Sequence, residues 1–162
     1  MRMDKLTTRF QQALADSQTL ALRRDHRFIE PAHVMQALID QEGGTTRYLL
    51  MRAGTDVIKL RSQLGELLDR LGRVGKTSGE VQISSELARV LNLTDKLAQK
   101  RGDRYLSTEL FLLATVEEPG ELGTLLHGSG VTSELLEEAI NSIRGGQNVD
   151  DPNTEDRRQA LE

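Results

Sequence analysis

Asn92–Leu113, NLTDKLAQKRGDRYLSTELFLL, is the stretch that decides the fold. It holds the C-terminal half of an amphipathic helix, a break centred on Gly102, a polar connector, and Ser107 placed to cap the start of a second, apolar helix. A corner between two helices built in this way presents surface to a partner more readily than it assembles reacting groups.

The same pattern of helices and stops extends in both directions. Asp4 to Arg24 carries Leu6, Phe10, Ala13, Leu14, Leu20 and Ala21 near a 3.6-residue period, with no Pro or Gly inside. Glu30-Pro31 opens a second helix, because Pro at the first helical position needs no amide partner, and Gly43-Gly44 closes it. Thr46 to Ala53 forms a short third helix ended by Gly54, and Asp56 caps a fourth that runs to about Arg70. The glycine-rich segment 72–83 has no helical period and reads as a linker.

Beyond it the pattern returns. A shift of 77 residues places Phe10 on Leu87, Leu14 on Leu91, Leu20 on Leu97, Phe28 on Tyr105, Val34 on Phe111 and Ala37 on Ala114. After a one-residue deletion, Gly54 falls on Gly130, Leu60 on Leu136 and Leu64 on Ile140. The expected fold is therefore all-α, with two tandem four-helix repeats packed as one pseudo-two-fold domain, since four short amphipathic helices scarcely bury their apolar faces alone. Residues 1–146 form this domain: repeat one is 4–71, the linker 72–83, and repeat two 84–146. Residues 147–162 read as a polar linker, and a chain that ends on a linker reads as a piece of a longer protein.

Composition narrows the function. No apolar run approaches the ~20 residues that span a bilayer, and the charged N-terminus MRMDKLTTRF lacks the apolar region of a signal peptide, so a cytoplasmic location without membrane contact is expected. The absence of cysteine excludes disulfides, thiolate metal sites and thiol catalysis. A net charge of −4 argues against general nucleic-acid binding, leaving only a local patch through Arg23, Arg24, Arg27, Lys100 and Arg101.

Catalytic signals fail on context. Gly75-Lys76-Thr77 has the ending of a phosphate-binding loop, but Arg70 stands where that loop needs its first Gly, and a helical run leads in where it needs a strand. His26, His33 and His127 lie far apart in the sequence with no ligand spacing, so no metal is expected and His33 reads as packing or a local hydrogen bond. Glu117-Glu118 and Glu137-Glu138 read as solvated helix surface, and Ser84, Ser107 and Thr132 as helix caps. No catalytic residue and no cofactor site emerge.

What remains is binding. On a helix from Ser84 to Arg101, Leu87, Leu91, Thr94 and Ala98 share about 60° of arc, and Val90, Leu93 and Leu97 widen the apolar face to about 160°. Leu93 is the main gain over repeat one, which has Asp16 there. Leu93 and Leu97 either fill the contact between the repeats or line an exposed groove for partners.

The strings RFQQALADSQTLAL, FIEPAHVMQALIDQEGG, NLTDKLAQKRGDRYLSTELFLLA and EDRRQAL resemble the N-terminal domain of the ClpB family of AAA+ protein disaggregases over nearly the whole chain, including the double Clp repeat. Thr94 departs from the small thiol residue common there. The resemblance implies a substrate-recognition module on a homohexameric, ATP- and magnesium-dependent motor that lies outside this sequence and works with the DnaK system on unfolded or aggregated clients. The chain itself is then non-catalytic and monomeric. It further implies an apolar groove at Leu93, Leu97 and Leu110, and chaperone roles for Thr7, Asp103 and Glu109; Asp103 and Glu109 are expected as the rim of that groove, with helix-end capping and solvated charge the competing reading of all three. The protease-linked Clp unfoldases, whose N-domains dock a folded adaptor, are the related alternative.

Overall fold

The computed structural model describes residues 3–74 and 81–159. Gly75-Lys76-Thr77 lies outside the described residues. Repeat one contributes α1 (Thr8–Arg23), α2 (Pro31–Asp40), α3 (Thr46–Arg52) and α4 (Val57–Asp69). Repeat two contributes α5 (Ser85–Arg101), α6 (Thr108–Glu117), α7 (Glu121–Gly128) and α8 (Ser133–Arg144). Two-residue strands, β1 (Phe28–Ile29) and β2 (Gln82–Ile83), and a short α9 (Thr154–Gln159) complete the described elements. The all-α double repeat is the observed fold.

Helix starts follow the cap chemistry. The side chains of Thr7, Asp56, Ser84, Ser107 and Thr132 accept hydrogen bonds from the amides of Phe10, Lys59, Leu87, Leu110 and Leu135. Gly102 ends α5 in the left-handed region at φ 77°, and at the equivalent corner of repeat one Asp25 takes the same conformation at φ 59°.

The pseudo-two-fold is built by exchange. The residues before each repeat's first helix pair with those before the other repeat's second helix: Ile83 lies opposite Ile29, and Leu6 forms a parallel bridge with Leu106. Matching bonds run from the Ser84 amide to the Ile29 carbonyl (3.0 Å) and from the Thr7 amide to the Leu106 carbonyl (3.1 Å). These contacts are too short to leave a period in the sequence. They also revise the linker reading, since the described ends of 72–83 are tied down by β2, by the bridge from Arg73 to His26 and by the Val74 amide on the Asp25 carbonyl.

The core lies between α2 and α6, which are buried along nearly their whole length, as helices without a polar face must be. Phe10 of α1 meets Phe111 of α6 edge to face, with ring centroids 5.3 Å apart, joining the repeats.

The tail departs from expectation. Val149 is fully buried, Thr154 and Glu155 nearly so, and the Thr8 amide bonds to the Pro152 carbonyl at 2.8 Å. Residues 149–156 are thus docked on the domain, because their few non-solvated groups find partners there. The linker reading is corrected over that span.

His26 and His33, seven residues apart, are both buried and meet through their rings. The Glu30 amide donates to Nδ1 of His33 (2.8 Å), so Nε2 of His33 carries the proton and donates to Nδ1 of His26 (2.8 Å). Burial, with the charges of His26 and Arg24 adding, holds the His33 pKa down at about 4. The unfolded chain takes up this proton near pH 6.5 while the folded chain resists it until about 4, so stability falls on acidification across that window. The expected loss is about 3 kcal/mol. Urea midpoints measured from pH 7 to 4 should show it, and His33→Gln should flatten the slope.

Candidate functional site

Leu93 and Leu97 stand half-buried on the outer side of α5, packed onto the core without being covered by it. Behind them Leu87, Val90, Leu91, Thr94 and Ala98 are buried, with the Thr94 hydroxyl satisfied by the Val90 carbonyl at 2.8 Å. The two leucines are thus neither enclosed in the core nor fully exposed. The equivalent face of repeat one is a polar cleft lined by Asp16, Leu20, Arg23, Ala37, Asp40 and Arg61, in which Arg61 grips both carboxylate oxygens of Asp40 (2.6 and 2.9 Å). One repeat offers charge where the other offers leucine.

Leu110 does not complete the patch. It is fully buried in α6, whose residues 108–116 are all enclosed, so no side of that helix faces solvent. The corner at Gly102 turns α6 into the core rather than along the surface, which corrects the three-leucine groove.

The polar rim is corrected as well. The side chains of Asp103 and Glu109 are fully buried and converge on Arg144, itself nearly buried at the end of α8. The Arg144 guanidinium donates to both Asp103 oxygens (3.0 and 2.8 Å) and through Nε to Glu109 (2.6 Å). The Val149 amide donates to the same Asp103 carboxylate at 3.1 Å. Burial opposes the charge on Arg144, yet its two acidic partners more than offset that and raise its pKa.

Thr7 is buried too. Besides capping α1, its hydroxyl donates to Glu155 (2.7 Å), and the same carboxylate receives the amide and hydroxyl of Thr108 at the start of α6. Burial, followed by the nearby Glu109 charge, pushes the Glu155 pKa up. Thr7 thus belongs with Thr108 to one interior cluster around Glu155, and Asp103 and Glu109 to a neighbouring one around Arg144, with the side chains of all three buried.

Sequence reasoning missed Arg144 and Glu155. Arg144 reads as an ordinary cation at a helix end and Glu155 as part of a polar tail, although two acids flanking an apolar helix start already demand a buried cation. A cleft of about 610 Å³ between α4 and α7, lined by Leu67, Arg70, Gly120, Glu121, Thr124 and Leu125, was likewise not signalled. Among the basic residues considered for nucleic acid, Arg24 pairs with Asp69 (2.8 Å), Arg27 lies over the Phe28 ring and Arg101 bonds Asn141. Among the described residues there is no cluster of potential metal ligands and no helix long and apolar enough to cross a membrane.

The chain is a helical double repeat with one partly apolar helix face on α5 and buried ion pairs around Arg144. The chain belongs to the Clp repeat (R) N-terminal domain family, which it matches over residues 5–129. It is 54% identical to the chaperone protein ClpB of Vibrio cholerae and 48% identical to that of Pseudomonas putida, in both cases over all of this chain but only 19% of the relative. The chain thus spans about a fifth of the length of these relatives. Its fold is shared with the Hsp104 N-terminal domain from Candida albicans (TM-score 0.80, 19% identity, 93% of this chain and 99% of that one). The N-domain of ClpV from Vibrio cholerae is also similar (TM-score 0.74, 18% identity, 86% of this chain and 85% of that one).

Proposed function

We propose that this chain is the substrate-recognition module of an ATP-dependent protein disaggregase, capturing exposed hydrophobic segments of unfolded or aggregated protein in the cytoplasm. The observation that carries this reading is the half-buried Leu93–Leu97 pair on α5, set against charged residues at the equivalent face of repeat one. A shallow leucine surface with few fixed polar partners accepts many sequences weakly, as capture of unfolded chains requires. The high identity to chaperone protein ClpB over the whole chain supports placing the module on an AAA+ motor, where ATP and magnesium act and where hexamer contacts and cooperation with the DnaK system belong. The module itself is non-catalytic and monomeric.

Binding of fluorescent unfolded casein tests the reading. Each leucine covered by a client contributes about 1.5 kcal/mol or more before ordering costs, so Leu93→Asp with Leu97→Asp should weaken binding at least about tenfold. Unchanged affinity in the folded double variant would falsify the assignment.

A further inference from the structure

We infer that the junction of the α1 and α6 N-termini is a docking site for the chain's own residues 149–156, that this segment works as a releasable latch, and that Thr7, Asp103 and Glu109 are positioning residues for it. Both ends of the segment are held by side chains from that junction. At one end the Asp103 carboxylate accepts from the Val149 amide, while the Val149 carbonyl receives the amides of Arg104 and Tyr105 (2.9 and 3.2 Å). At the other, Glu155 is held by Thr7 and Thr108, and Arg9 of α1 donates to Asp156. Between them the Pro152 carbonyl accepts from the Thr8 amide, and the Thr8 hydroxyl donates to Asn153 (2.8 Å). Glu109 acts at one remove, by holding Arg144 against Asp103.

The side-chain caps of α1 and α6 and the bridge between the repeats are made without the segment. With it withdrawn, the Thr7 hydroxyl still caps α1, the Ser107 hydroxyl still caps α6, and the bridge between Leu6 and Leu106 still joins the repeats. Its contacts are mostly hydrogen bonds that water can replace, with Val149 the one fully buried apolar side chain that it contributes. Glu155 is buried beside Glu109, a placement that disfavours its charge. On the proposed function, client capture occurs on α5, apart from the latch.

Amide hydrogen exchange on the whole chain tests this. Glu155→Ala is expected to speed exchange at Thr8 and Thr108 by about tenfold or more, and to leave Thr7, Leu106 and Leu64, whose backbone amides do not bond to the segment, within about threefold. Glu155→Gln, which keeps the shape and can still bond both threonines, should restore protection. Should Glu155→Ala loosen the whole fold, Val149→Ala gives the same readout from the other end of the segment. Unfolded casein should bind the Glu155→Ala chain as it binds the unaltered one, so a failed latch and a failed client site give different results. The latch is overturned if neither alanine variant changes Thr8 and Thr108 relative to Thr7 and Leu106, or if Glu155→Gln exposes them as much as Glu155→Ala does.

Discussion

Arg144→Ala is expected to lower the unfolding free energy by about 3–5 kcal/mol, a large part of the stability of a domain this size. The cost arises because Asp103 and Glu109, both fully buried, would keep their carboxylates inside with no cation to meet them. Neither acid can turn to water without opening the start of α6. An ion pair of similar length makes the comparison: Arg61 and Asp40 also meet at 2.6 Å, but both are about half exposed. Arg61→Ala should therefore cost no more than about 1 kcal/mol. Thermal unfolding should show Arg144→Ala melting roughly 10 °C lower, with Arg61→Ala close to the unaltered chain. Equal shifts would mean that the interior network is no stronger than a surface pair.

Leu110→Ala should cost about 2–5 kcal/mol, as truncation of an enclosed leucine does. Leu93→Ala and Leu97→Ala, each removing a half-buried side chain, should cost less than about 1.5 kcal/mol. The contrast separates two reasons for lost chaperone function. Below its melting temperature Leu110→Ala should still bind unfolded casein, whereas the α5 variants remain stable and lose binding. Urea unfolding combined with binding at low temperature checks both halves.

Helix starts, the glycine corners and the doubling of the chain could be read from residues because each is written locally. Ser84 and Ser107 stand where their helices need an acceptor, Gly102 stands where α5 must turn left-handed, and the apolar period repeats after 77 residues. The apolar widening of α5 at Leu93 was visible for the same reason. Burial of Asp103 and Glu109 was not, because it depends on Arg144, whose contacts lie 35 and 41 residues away in the chain, and Leu110 sits on a helix enclosed along residues 108–116. The docked tail was hidden more deeply, since Asp150 to Asp156 carries no large apolar side chain and gains its partners only at a junction of two repeats. The exchanged pairing at Leu6 and Ile83 is carried by one or two residues on each side, too few for any pattern. Resemblance to a family pointed to Thr7, Asp103 and Glu109, and their side chains lie in the interior rather than on a surface rim.

The central claim is that an unfolded chain settles on the outer face of α5. Amide NMR of the chain titrated with unfolded casein tests it most directly. The expected shifts centre on Leu93, Leu97 and the residues one turn away on the same face, with Leu110 and the amides of α2 unmoved. Shifts confined to the cleft between α4 and α7, or none at all at saturating casein, would contradict the account.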